Sequence, residues 1–146
     1  MIEPQRSEES GQIMVLVIGY VLLTLLVVCV VTAVSAVYLE AKRLLSLADS
    51  TAAVAVEGTQ LTSDGAAPHL RLDNAMVTAA AELYLERAEV SERFDQLEIS
   101  TLTGSPDGRS ARVVLTAVVH PPLISFLLPE GIQISAESVS RPQLSR

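Results

Sequence analysis

The chain is poor in the residues that usually build ligand pockets and covalent cross-links. It contains no tryptophan, three tyrosines, two phenylalanines and one cysteine, Cys29. So few aromatic rings argue against an aromatic-lined pocket and against a platform on which nucleic-acid bases stack. A single cysteine excludes an intrachain disulfide, so the fold has to be held together by packing alone.

Basic charge is scarce as well. The whole chain has 17 acidic and 10 basic side chains and a formal net charge of −7. Residues 40–146 alone carry 14 acidic and 9 basic side chains, which leaves them at −5. A surface that binds nucleic acid needs an excess of Lys and Arg, so we expect no nucleic-acid partner.

Motifs that carry catalysis are absent from the sequence. There is no nucleophile elbow and no glycine-rich phosphate loop. His69 and His120 are far apart in the chain, without cysteines or carboxylates at metal-ligand spacing, which indicates surface or capping roles. Glu82, Glu86 and Glu89 are close together on a predicted helix, where a solvated face is the favoured interpretation and a divalent-ion site the alternative. We therefore expect no enzyme activity, no cofactor, no metal and no small-molecule substrate.

Charge is missing altogether from one long stretch, which is the strongest feature of the chain. No charged residue occurs from Ser10 to Leu39. A helix of about 20 apolar residues is long enough to cross the hydrocarbon core of a bilayer. A helix also satisfies its own backbone hydrogen bonds where water is excluded. We predict a membrane-spanning helix over residues 13–39, preceded by an N-terminal tail over residues 1–12, of which residues 1–10 are expected to be disordered.

The flanks of this stretch bear on its processing and its orientation. Acidic residues precede it, and the apolar run is longer than the 7–15 residues of a signal-peptide core, so we expect the span to be retained. Arg6 and the terminal amine lie on one side, and Lys42 and Arg43 lie on the other. The positive charges are therefore nearly balanced and indicate no direction of insertion.

Small residues within the predicted span form a candidate packing face for other membrane helices. Cys29 and Ala33, like Thr32 and Ala36, are four residues apart, the spacing that allows two membrane helices to approach closely. A chance distribution of small residues explains the pattern as well. Cys29 itself could carry a lipid or an intermolecular disulfide, although Val28 is too large for a lipobox. We favour a role as a small apolar filler.

The helix is expected to continue beyond the membrane. No proline or glycine occurs between residues 40 and 57, and apolar residues recur there at helical spacing. These residues are Ala41, Leu44, Leu45, Ala48, Ala52, Ala55 and Val56. We predict one helix from about Gln12 to Gly58, with residues 40–58 as its extension and Gly58 as its C-terminal cap.

Residues 59–146 are predicted to form a small α+β domain. After a loop, Asp73 is a good N-cap for a second helix that ends near Val90. The face that we expect this helix to bury comprises Leu72, Met76, Ala79, Ala80, Leu83 and Arg87. Met76 on this face is expected to belong to the core.

Three strands are predicted to follow the second helix. Alternating side chains over residues 95–103 and 111–119 flank a turn at Gly104–Gly108, a pattern typical of an antiparallel hairpin. A third strand is predicted over residues 132–139. The apolar face of this sheet has to be covered, and the available covers are the stripe after the span and the second helix.

The apolar run Leu-Ile-Ser-Phe-Leu-Leu over residues 123–128 is too short to cross a bilayer. It could plug the core of the domain, or it could form a lip that rests on the membrane or on a neighbouring protein. We favour the core plug.

Two segments of the sequence carry a resemblance to a known family. Glu9-Ser10-Gly11-Gln12 precedes the uncharged stretch, and Leu47-Ala48-Asp49 followed by Ala52-Ala53-Val54-Ala55 comes after it. In this pattern residues 8–58 resemble the TadG-like proteins of tight-adherence (Flp) pilus systems, which are related to the TadE-like proteins. The family-pattern residues are Gly11, Gln12, Leu47, Ala48 and Asp49.

The resemblance implies a cytoplasmic N terminus, an extracytoplasmic C-terminal domain and a role in building a pilus or a related secretion apparatus with other subunits. One position departs from the prepilin pattern. The fifth residue beyond Gly11 is Leu16, where cleaved type IV prepilins carry glutamate, so we expect an uncut N terminus that an intact-mass measurement would test. The alternative function is a membrane-tethered binding or sensor domain unrelated to pili.

Overall fold

The structure, a computed structural model, describes residues 6–61, 72–88, 90, 94–121, 125–126 and 128–141, without the side chains of residues 6–10 and 59–61. Its elements in chain order are α1 (Arg6–Leu61), α2 (Asn74–Arg87), β1 (Asp95–Ile99), β2 (Ala111–Val119) and β3 (Ile132–Ser140). The three strands form one antiparallel sheet in the order β1-β2-β3. The predicted α+β layout of two helices and a three-stranded sheet is confirmed.

Helix α1 is longer than the sequence pattern predicted. It runs without interruption for 56 residues, about 84 Å at 1.5 Å per residue. It begins at Arg6, so residues 6–10 are helical and the prediction of a disordered tail there is wrong. It passes through Gly58 and ends at Leu61, so Gly58 is not the cap. One interior glycine costs about 1 kcal/mol relative to alanine, which a helix of this length tolerates.

The second half of α1 packs on the sheet and on α2, as predicted from the apolar stripe. Leu44, Ala48, Ala52 and Ala55 are fully buried, whereas Leu45 at the edge of the stripe is 40% exposed. These side chains form one core cluster with the inward face of β2, of which Val113 and Leu115 are the central residues, and with Ile134 and Ala136 of β3. Because the alanine side chains are small, the helix can lie directly against the sheet.

The sheet is built around β2. Strands β2 and β3 pair along nine residues without irregularity, from Ala111 opposite Ser140 to Val119 opposite Ile132. The hairpin of β1 and β2 and the third strand are confirmed. Strand β1 ends at Ile99, however, and is shorter than the predicted run to Thr103.

Beyond the end of β1, the side chain of Thr103 forms the hydrogen bonds to β2. Residues 101 and 102 turn away from the sheet, and the Thr103 hydroxyl then lies beside β2. It accepts a hydrogen bond from the Val114 amide at 3.0 Å and donates one to the Val114 carbonyl at 3.2 Å. Gly104 then pairs with Arg112 through two backbone hydrogen bonds. The hydroxyl thus replaces a strand residue at a buried position.

Replacing Thr103 with valine is expected to destabilise the domain by about 1–3 kcal/mol, because it leaves the buried Val114 amide without its acceptor. Urea unfolding of the full chain in detergent measures the difference. Thr101→Val is the matched control, because Thr101 is exposed in the same turn. Equal stability of the two variants would contradict the role assigned to the Thr103 hydroxyl.

The turn between β1 and β2 is held by Asp107 and Asn74. The Asp107 carboxylate accepts hydrogen bonds from the Ser110 hydroxyl and amide, both at 2.7 Å, and from the Arg109 amide at 2.9 Å. These donors, the hydroxyl above all, hold the pKa of Asp107 well below its usual range. The Asn74 side chain accepts a hydrogen bond from the Ser105 amide at 2.6 Å and so ties the turn to the start of α2. A Cβ at Gly104 would lie 2.6 Å from the same Asn74 oxygen, which explains the glycine.

Helix α2 buries a face shifted from the one predicted, although Leu72 just before the helix is buried and Ala80 packs against the core, as expected. Its buried residues are Val77, Ala81 and Leu85, whereas Met76 and Leu83 are nearly half exposed. Alanines on both faces made two overlapping stripes possible, and the stripe with the bulky Val77 and Leu85 packs inward.

The two ends of α2 also differ from the sequence prediction in detail. Asp73 does occupy the N-cap position, with an extended backbone, but its side chain makes no capping hydrogen bond. The helix ends at Arg87, three residues before the predicted end at Val90.

The apolar run after β2 does not behave as a core plug in its described part. Phe126 is 94% exposed and Leu128 is 45% exposed. The prediction of a plug is therefore wrong for these two residues, and residues 123, 124 and 127 lie outside the described part.

Candidate membrane helix and its junction with the head

The first half of α1 carries a long apolar surface that no described part of the chain covers. Every residue from Ile13 to Thr32 is exposed, and the large apolar side chains among them are 49–71% exposed. We call these 20 residues the bare segment. At 1.5 Å per residue the bare segment is about 30 Å long, which equals the hydrocarbon thickness of a typical bilayer.

The two threonine hydroxyls within the bare segment are hydrogen-bonded within the helix itself. The Thr24 hydroxyl donates to the Tyr20 carbonyl at 2.9 Å, and the Thr32 hydroxyl donates to the Val28 carbonyl at 2.8 Å. A hydroxyl that is bonded within its own helix does not lose a water partner on entering lipid. The threonines therefore do not argue against a membrane environment.

The contact between α1 and the rest of the chain begins at Ala33. Ala33 is 6% exposed, Ala36 and Val37 are partly buried, and Val37 packs against the core cluster. We call α2, the three strands and their connections the head. The contact with the head therefore covers the last seven residues of the uncharged stretch, Ala33 to Leu39.

This boundary divides the candidate helix-packing residues into two pairs. Cys29 and Thr32 lie exposed on the bare segment, available to another helix. Ala33 is covered by the chain's own fold, and Ala36 is partly covered.

Charged and aromatic side chains follow directly after this boundary. Glu40 and Arg43 form an ion pair of 2.6 Å one turn apart, and the Lys42 ammonium lies 5.7 Å from the centre of the Tyr38 ring. Tyrosine and lysine at the end of an apolar helix are typical of the headgroup layer of a membrane, where the ring and the aliphatic chain stay in apolar surroundings and the polar ends reach water.

Two grooves flank α1 at this level. One, of about 430 Å³, is lined, among the described residues, by Ile132 of β3 and by α1 residues Ala33, Val34, Val37, Tyr38 and Ala41. The other, of about 340 Å³, lies beside Ala36 and Leu39 and is also lined by His120 and Pro121. Both ends of the connection between β2 and β3 therefore lie next to residues 33–41 of α1.

The ionisable candidates from the sequence do not converge on one site. His120 Nδ1 lies 3.1 Å from the Asp95 carboxylate, a surface pair at the end of the sheet, and His69 is outside the described residues. Glu82 and Glu86 are exposed on α2, and the side chain of Glu89 is not described. Among the described residues no three His, Cys, Asp or Glu side chains are grouped to hold a metal ion.

In the described part of the chain, α1 is the one helix that is long and apolar enough to cross a membrane by length and composition. The comparison with family models identifies the same helix. Residues 11–61 match the family described as putative Flp pilus-assembly TadE/G-like. The resemblance inferred from the sequence is confirmed for this segment. Searches of curated proteins and of solved structures found no match to the chain.

The TadE/G-like segment coincides with α1 almost from end to end and excludes the head. Of the family-pattern residues, Gly11 and Gln12 lie exposed just before the bare segment, and Asp49 is exposed on the extension. Ala48 is fully buried and Leu47 packs partly against the core. The second half of the pattern is thus the part of α1 that holds the sheet.

Two features of the structure were missed at the sequence level. The hydroxyl pairing of Thr103 has no signature, because a threonine in an alternating run also suits an ordinary strand. The burial of Ala33 has no sequence signature either, because a small apolar residue suits both a lipid environment and a protein contact.

Proposed function

We propose that this protein is a membrane-anchored structural or assembly component, similar to a minor pilin, of a Tad/Flp-type pilus or a related secretion apparatus. The observation that carries the proposal is the bare segment joined without a break to a helix that holds a folded head. The match of residues 11–61 to the TadE/G-like family supports the assignment to a pilus system. The role is structural and not catalytic.

The bare segment is the anchor in this proposal. Residues 13–32 lie in the hydrocarbon core, and residues 33–43 carry the helix through the headgroup layer into the head. This shortens the predicted span of residues 13–39, because the last residues of the uncharged stretch contact the head. The N terminus is cytoplasmic and the head is extracytoplasmic, as the resemblance implies.

Other pilus or secretion subunits are the proposed protein partners. The exposed Cys29 and Thr32 side chains supply a face of small residues on the bare segment, to which a second membrane helix can pack closely. In a filament the same segment would pack against other subunits in place of lipid.

The orientation is tested by labelling single cysteines in a Cys29→Ser background. We expect Ser135→Cys, at an exposed position of β3, to react with a membrane-impermeant maleimide in spheroplasts. We expect Ser7→Cys to react only after the membrane is permeabilised. The reverse pattern would overturn the orientation, and equal labelling of both sites without permeabilisation would overturn the anchor.

The role in pilus formation is tested by deleting the gene in its host. We expect the number of Flp-type pili counted by electron microscopy to fall, and expression of the full chain to restore it. An unchanged number of pili after deletion would refute the proposed function, even if the membrane anchor stands.

A further inference from the structure

The connection between β2 and β3 leaves the sheet on the side of the bare segment. Val119 and Ile132 form the last pair of the two strands, and both line the grooves beside residues 33–41 of α1. The rest of the sheet packs along the buried stripe of α1 that begins at Leu44. The described ends of the connection therefore lie at the end of the head that faces the bare segment.

An aromatic side chain is presented to the outside in this connection. Phe126 is 94% exposed, whereas Phe94, the other phenylalanine of the chain, is buried. Leu128, two residues on, is 45% exposed. The Ser125 amide donates a backbone hydrogen bond to the Pro121 carbonyl at 2.9 Å, and the Gly131 amide donates one to the Leu128 carbonyl at 3.1 Å.

The level of the connection along α1 identifies the surroundings of these side chains. If Ile13 lies at one edge of the hydrocarbon core, Ala33 lies about 30 Å further along, at the other edge. The wholly apolar groove that contains Ala33 and Ile132 continues the lipid-facing surface of the bare segment onto the head. The end of the head that carries Phe126 is thus at the depth of the headgroup layer.

We propose that Phe126 and Leu128 insert into the interfacial layer of the bilayer and give the head a second attachment beside α1. The inference rests on the proposed membrane anchor. Lipid is the occupant because both ends of the connection line grooves beside residues 33–41 of α1, next to the bare segment, and because exposed Phe and Leu side chains insert at the boundary between headgroups and acyl chains. Two attachments fix the tilt and rotation of the head relative to the membrane, which a single helix leaves free.

The absence of tryptophan from the chain allows a direct test with the full-length protein in phosphatidylcholine liposomes. We expect the new tryptophan of the Phe126→Trp variant to show blue-shifted fluorescence emission. We expect most of this emission to be quenched when the lipids carry brominated acyl chains. Leu102→Trp is the matched control, because Leu102 is an exposed apolar residue near the opposite end of the sheet, and we expect no quenching there. Leu25→Trp, in the bare segment, is the positive control.

The two proposals fail in different ways in this experiment. Quenching of Leu25→Trp without quenching of Phe126→Trp would overturn the second attachment and leave the anchor intact. No quenching of Leu25→Trp would overturn both. Blue-shifted but unquenched emission of Phe126→Trp would show that a protein surface covers it, which also overturns the inference.

Discussion

Replacing Leu44 with alanine is expected to destabilise the head by about 2–5 kcal/mol, the usual cost of removing a buried leucine side chain. Leu44 is fully buried and belongs to the cluster that joins α1 to the sheet. A three-stranded sheet cannot bury its apolar face without a covering helix. The net stability of a small domain is only about 5–15 kcal/mol, so this one truncation removes a large share of it.

Leu45 provides a matched control on the same turn of the helix. It is 40% exposed, so Leu45→Ala removes the same atoms from a position that is already partly in water. We expect its effect to stay below about 1 kcal/mol, within the range of most surface substitutions. Urea unfolding in detergent micelles, followed by the circular dichroism of the sheet, measures both variants. Equal losses would mean that α1 does not hold the sheet through its buried stripe.

Strong periodic patterns made most of the fold predictable. The uncharged stretch and the alanine stripe specified α1, and alternation around Gly104–Gly108 specified the hairpin, because each pattern has one good structural solution. The face of α2 was mispredicted because its alanines fit either side, so tertiary packing of Val77 and Leu85 decided it. Sequence periodicity indicates which faces can be buried, and the neighbouring elements select one of them.

The candidate membrane helix was predictable to a similar extent and for a related reason. The absence of charge located the part of α1 that is apolar enough to cross a membrane, because charged side chains are costly in lipid. The predicted span ended at Leu39, whereas the bare segment ends at Thr32. Residues that face lipid and residues that face a protein core are equally apolar, so the sequence contains no mark at Ala33 where one environment replaces the other.

Two arginines in the bare segment are expected to abolish membrane insertion where one only weakens it. The segment contains 14 Leu, Ile or Val residues. At about 0.3–0.6 kcal/mol each they favour insertion by about 4–8 kcal/mol in total. An arginine near the centre costs about 2.5–3.5 kcal/mol, so Leu22→Arg alone leaves insertion near balance or favourable. When Leu25→Arg is added, the cost of the two arginines and the loss of two leucines total about 6–8 kcal/mol. This cost is as large as the free energy by which the apolar side chains favour insertion.

Flotation of membranes through a sucrose gradient measures this effect and separates inserted protein from aggregates. We expect the unmodified chain to float, Leu22→Arg to float in part and the double variant to stay at the bottom. The matched control introduces arginine at Ser46 and Ser50, exposed positions on the extension of the same helix, and should float like the unmodified chain. If the double variant floats fully, the bare segment is not what holds this protein in the membrane, because two central arginines cost about 5–7 kcal/mol, as much as the apolar side chains of the segment contribute.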